Sequence, residues 1–167
     1  MANERQVILG EMVLRSSAAN NVTRPLAVFD KGFSLNPIAI PASARPGDSL
    51  EIPVGWSSSV DGREDHVQFL HFIHETNGTW WNHDQPPLGL RLPTRLWYSG
   101  LTDSETWRLT LPADLAPGRY AVSTGLYRSS DRMRMPVRDP DGQLLAEARV
   151  PLGTIVIEAP DPNEDKT

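Results

Sequence analysis

Apolar residues recur at every second position through most of this chain. In SLEIPVGW, Leu50, Ile52, Val54 and Trp56 fall on one side of an extended strand. In HVQFLHFIHE, Val67, Phe69, His71 and Ile73 share one face while Leu70 and Phe72 share the other, and the more apolar first set is expected to meet the core. TWRLTL aligns Trp107, Leu109 and Leu111, and GRYAVSTGLY aligns Tyr120, Val122, Thr124 and Leu126. Strands with one apolar face are what two stacked sheets require.

Turn signals stand between these segments. Asp61-Gly62, Asn77-Gly78 and Asp141-Gly142 read as two-residue turns whose central positions both take positive φ, and Pro46-Gly47 and Pro117-Gly118 punctuate the approach to two strands. The pattern predicts an all-β fold, an Ig-like or fibronectin-III-like antiparallel β-sandwich of seven to nine strands, over residues 21–158. Residues 1–20 are expected to supply an N-terminal strand segment, because VILGEMVL at 7–14 echoes VPLGTIVI at 150–157. The echo fits two strands with similar needs, or a remnant of the last strand of a preceding repeat. The acidic, proline-bearing stretch 159–167 is expected to be disordered.

Composition narrows the functions. At 167 residues the chain can bury a sizeable core, and 15 Pro with 12 Gly favour strands and turns over helices. A net charge of -5 gives no basic field for nucleic acid or an anionic membrane, and no run approaches a membrane span. Without cysteine there is no disulfide, thiolate chemistry or Cys-ligated zinc. The location expected is extracytoplasmic if the chain is cut from a larger membrane protein, and cytoplasmic if Met1 is the natural start.

The densest chemistry lies in HFIHETNGTWWNHDQPP, residues 71–87. A two-residue turn at Asn77-Gly78 would oppose His74 to Trp81, Phe72 to His83 and His71 to Asp84. On that register Val67, Phe69, His71, Ile73, Trp80 and Asp84 share the core face, with Asp84 the hydrogen-bond partner of a buried His71. Phe72, His74, Trp81 and His83 would face outward and form the candidate binding surface, an aromatic platform for a sugar ring or a partner protein. A metal site is disfavoured, because His71 and His74 project to opposite faces and His74 with His83 lacks a third ligand. Asp139, Asp141 and Glu147 have the look of calcium ligands without the spacing, and turn chemistry accounts for them. No motif positions a nucleophilic serine. No metal, cofactor or catalytic residue is expected.

Several stretches resemble a β-sandwich module that recurs in Chloroflexi-type bacteria, commonly near the C-terminus of large multi-pass membrane glycosyltransferases and related envelope proteins. The matching pieces are RPGDSLEIPVGW, FLH at 69–71, DQPP at 84–87, LPTRLW at 92–97, LTLPADLAPGRYAVSTGLY at 109–127 and the closing LGTIVIE. The resemblance covers about residues 38–158. It implies a non-catalytic accessory module whose partner is a glycan or another protein domain, or a spacer without ligand, with His71, Asp84 and Trp97 as framework. LAPGRY is also similar to the tyrosine corner of Ig-like sandwiches, which makes Tyr120 a framework residue. A histidine-based metal-dependent enzyme is the remaining alternative.

Overall fold

The computed structural model describes residues 24–163, so the N-terminal segment 1–20, with its echo at 7–14, lies outside the described residues. Among the described residues ten strands form two five-stranded sheets packed face to face. One sheet runs in the order β7 (Thr102–Thr110), β4 (Ser49–Ser58), β2 (Phe33–Leu35), β1 (Ala27–Phe29) and β9 (Val137–Arg138). The other runs β3 (Ser43–Ala44), β10 (Val150–Ile157), β8 (Gly118–Arg128), β5 (His66–His74) and β6 (Trp80–Gln85). This is the expected all-β, Ig-like sandwich, with two departures. The count exceeds seven to nine because β3 and β9 are two-residue pieces too short to show a period, and β3 runs parallel to β10 where an antiparallel neighbour was expected.

Alternation built most of the core as expected. Leu50, Ile52, Val54 and Trp56 of β4 pack with Trp107 and Leu109 of β7 and, from the facing sheet, Tyr120, Val122 and Leu126 of β8. Trp97 enters this core from the long connection between β6 and β7, within 4.7 Å of Phe33 and 5.6 Å of Trp56 between ring centres. The indoles of Trp97 and Trp107 donate to the carbonyls of Leu92 and Pro87, which pins that connection to the sandwich end. Tyr120 donates its hydroxyl to the carbonyl of Ala116 at 2.8 Å, closing a loop just before β8 as a tyrosine corner does.

β5 overturns the expected facing. Leu70 and Phe72 belong to the central core, whereas Phe69, His71 and Ile73 project from the opposite side of the sheet. The inward row is the less apolar one, His66, Gln68, Leu70, Phe72 and His74, and each of its polar members is satisfied. Trp56 Nε1 donates to Gln68 Oε1 at 3.1 Å, Gln68 Nε2 donates to Thr124 Oγ1 at 3.0 Å, and the Thr124 hydroxyl donates to the Phe69 carbonyl at 2.6 Å. The Thr94 hydroxyl gives its proton to the Glu64 carbonyl, so the imidazole Nδ1 of His66, 3.2 Å away, is the donor to it.

The β10 edge is irregular. The pairing of β10 with β8 shifts between Pro151 and Gly153, a bulge next to a residue that has no amide hydrogen. β3 covers only the Val156–Ile157 end of that edge.

Gln68→Leu is expected to lower unfolding stability by about 1 to 3 kcal/mol, the cost of leaving the Trp56 indole N–H buried without an acceptor. Equilibrium urea unfolding measures it, with Tyr120→Phe as a single-bond comparison at about 1 kcal/mol.

Candidate functional site

The β5–β6 hairpin brings the candidate residues together, in a register two residues away from the one expected. Phe72 opposes Trp81, Leu70 opposes His83 and His71 opposes Asn82. The connection is not a two-residue turn. His74 N–H donates to the Thr79 carbonyl and Gly78 N–H to the His74 carbonyl, leaving a four-residue loop over 75–78. Gly78 alone takes positive φ there, at 71°, and Asn77 does not. At the other two predicted turns, Gly142 takes positive φ without Asp141, and neither Asp61 nor Gly62 does.

The His74 imidazole explains the longer loop. Its Nδ1 accepts from the backbone N–H groups of Thr76 and Asn77, at 3.2 and 3.4 Å, so its Nε2 carries the proton and donates to the Pro117 carbonyl at 3.1 Å. One buried ring thereby ties the hairpin tip to the loop before β8. A shift of two residues preserves side-chain parity. The two groups of residues are therefore sorted as expected, but each lies on the opposite face from the one assigned to it.

The expected binding surface is consequently interior. Phe72 is fully buried, His74 is buried, and Trp81 is half-buried against the core, 5.0 Å from Phe72 between ring centres. His83 sits 5.8 Å from the Trp107 ring, and its Nε2 lies 2.9 Å from Gln85 Oε1. The expected His71–Asp84 pair does not form. His71 is opposed by Asn82, and Asp84 accepts from Asn82 Nδ2 and from the Tyr127 hydroxyl, both at 2.9 Å. Trp97 and Tyr120 occupy the core positions described above.

The outward face of the same sheet carries what sequence reasoning missed. Phe69, His71 and Trp80 form an aromatic row, with ring centres 4.4 Å apart between Phe69 and His71 and 5.8 Å apart between His71 and Trp80. The Arg134 guanidinium lies 4.8 Å over the Phe69 ring and donates to the Glu147 carbonyl at 3.0 Å. Beneath them Gly125 lets Phe69 and the Ala148 carbonyl close in, since a Cβ at that position would stand 2.5 Å from the Phe69 ring edge and 2.6 Å from that oxygen. The segment carrying Arg134, Glu147 and Ala148 therefore roofs Phe69, which is only 1% exposed although it lies outside the central core.

Beside that roof the sheet is open. A cleft of about 270 Å³ is lined by His71, Ile73, Gly78, Trp80, Arg134 and Arg149. Trp80 forms one wall and is 62% exposed. Arg149 Nε is buried and has no hydrogen-bond partner, although the Glu147 carboxylate lies 3.3 Å away as an ion pair. Charge attraction survives between them at an alignment that makes no hydrogen bond. A larger surface hollow of about 560 Å³ beside His66 is lined by charges of both signs, Lys31, Asp61, Arg63 and Glu64.

Burial holds the His71 imidazole below its ordinary pKa of 6.5, and the positive charges of Arg149 and Arg134 push it the same way against the opposing pull of Asp84. His66 is likewise lowered, chiefly by burial. Burial and the hydrogen bond to Asp84 raise the Tyr127 phenol to about 12. Among the described residues no group of three or more His, Cys, Asp or Glu side chains is arranged to hold a metal ion, and no helix is long and apolar enough to cross a membrane. Asp139, one of the would-be calcium ligands, instead accepts from the backbone N–H groups of Asp141 and Gln143 within its own turn.

No family model matches the sequence, and no curated protein does. Solved structures define the class at the level of fold. The C-terminal domain of wzt superposes with a TM-score of 0.51 at 12% identity, over 82% of this chain and 80% of that one. A Niemann-Pick type C2 protein from Japanese carpenter ant gives 0.46 at 9% identity, over 82% of this chain and 96% of that one. The first likeness is a distant one between β-sandwiches and speaks to architecture alone.

Two outcomes are expected in solution. His66 and His71 both resist protonation in the folded state, so the unfolded chain takes up protons first. Stability should therefore fall as the pH drops through 6.5 and level off below the two lowered values, and His71→Gln should flatten that slope in urea midpoints measured across the range. Asp84→Asn should bring the Tyr127 phenol part of the way down from about 12, with burial holding the remainder of the rise, read by the ultraviolet absorbance of tyrosinate.

Proposed function

We propose that this chain is a non-catalytic accessory module that holds a saccharide on the outer face of the β5–β6 hairpin, in a cell-envelope setting of the kind its sequence resemblance implies. The observation that carries this reading is the exposed Trp80 indole flanking an open cleft. A bare indole forgoes burial that its neighbour Trp81 obtains, and a sugar ring stacked on it would restore that contact. His71 stands beside Trp80 in the cleft wall, and at about 270 Å³ the cleft lies near the lower end of ligand-pocket sizes, suited to a single ring.

The lining favours holding over reacting. It offers one imidazole and two guanidinium groups without a hydroxyl side chain to serve as a nucleophile, and the neighbouring Glu147 carboxylate is engaged in an ion pair with Arg149. In this reading His71 stays neutral at neutral pH and acts as a hydrogen-bonding wall.

The test pairs the two adjacent tryptophans. Trp80→Ala should abolish the change in tryptophan fluorescence on titration with binding saccharides and leave the urea midpoint nearly unchanged. Trp81→Ala should lower stability by about 3 kcal/mol or more, because that indole packs on the core. Silence of the unmodified protein across a broad glycan array would replace this reading with that of a spacer.

A further inference from the structure

The cleft beside Trp80 has a sign as well as a shape. Both charged residues in its lining, Arg134 and Arg149, are cationic, in a protein whose net charge is -5. Arg134 donates to the Glu147 carbonyl rather than to a carboxylate, and its guanidinium carbon lies 4.8 Å over the Phe69 ring. Arg149 is held by Glu147 at 3.3 Å through a carboxylate that is itself 69% exposed, and its buried Nε lacks any hydrogen-bond acceptor. Arg91, by contrast, is fully matched on the surface, meeting Asp103 at 2.8 Å and Glu105 at 3.2 Å.

A guanidinium donates through a planar fork that fits the paired oxygens of a carboxylate or phosphate. Two guanidinium groups in the lining, with an aromatic wall at Trp80, suit a ring that bears an anionic substituent. A neutral sugar would use the wall and leave the forks to water. Resting on the saccharide reading of the same cleft, we propose that its ligand is an acidic saccharide, with the ring against Trp80 and the anionic group between Arg134 and Arg149. The Glu147 carboxylate is then a built-in competitor that occupies the Arg149 side until the ligand arrives.

Isothermal titration of the full chain with oligogalacturonate, its methyl-esterified form, a phosphomannan fragment and dextran tests this directly. Binding of oligogalacturonate, of the phosphomannan fragment or of both, at least tenfold tighter than of the esterified and neutral chains, supports the proposal and tells a carboxylate source from a phosphate one. Arg149→Gln and Arg134→Met should each weaken that binding about tenfold, as loss of one charge-assisted contact does. Arg134→Met keeps an apolar stem over Phe69, and Arg134→Lys serves as a second variant if the first fails to fold. Glu147→Gln should strengthen binding by removing the competitor, an effect that a merely structural role for the ion pair would not produce.

The failures separate. Equal affinity for the acid and its ester, or arginine variants without effect while Trp80→Ala abolishes binding, overturns the acidic class and keeps the saccharide site. Acid binding that survives Trp80→Ala, or no binding by any saccharide of either kind, overturns both.

Discussion

The sandwich depends on a short chain of hydrogen bonds across its interior, from the Trp56 indole through the Gln68 amide and the Thr124 hydroxyl to the Phe69 carbonyl. Trp56 belongs to one sheet, Gln68 and Thr124 to the other, so this chain joins the layers at a point where only apolar contact would otherwise hold them. A buried amide without partners costs several times what a satisfied one contributes. Burying Gln68 is therefore tolerable only while Trp56 and Thr124 face it. With that condition met, the side of β5 that enters the core is settled, and the placement of everything attached to the hairpin is settled with it.

Two aromatic layers then divide the labour. The inner one, Phe72, Trp81 and their neighbours, is sealed between the sheets. The outer one begins with Phe69 under a roof of Arg134 and Ala148 and ends with Trp80 in the open. Gly125 permits the roof to sit so low, and the same segment brings Arg134 and Arg149 to the cleft, with Glu147 paired to Arg149. Core packing and the open cleft are thus separated by which side of the sheet a side chain leaves.

Much of this was legible in the sequence. β4, β7 and β8 each carry a single apolar row, and in each that row points inward. LAPGRY placed Tyr120 against Ala116, and the pairing parity of the hairpin survived an error in its loop length. The facing of β5 was not legible, because both of its rows are rich in apolar residues and the winning row contains two histidines and a glutamine. Hydrophobic counting favours Val67, Phe69 and Ile73. The outcome instead turned on partners for His66, Gln68 and His74 that lie up to 56 positions away, at Thr94, Thr124 and Pro117. The one local clue was the spacing of polar groups able to serve a buried amide, Thr124 on the inward row of β8 above all. The cleft was hidden for the same reason, since Arg134 and Arg149 reach it from a connection with no periodicity of its own.

The bulge in β10 bears on how this molecule behaves in a crowd of its own copies. An uncovered outer strand ordinarily offers a ladder on which another chain can crystallise into fibril. Here the uncovered stretch has a proline rung that cannot donate and a step that throws the next rungs out of line, and the side where a parallel neighbour could lie flat is capped by two residues of β3. An incoming strand would meet a broken comb along this edge, formed by a strand that itself carries no charged residue.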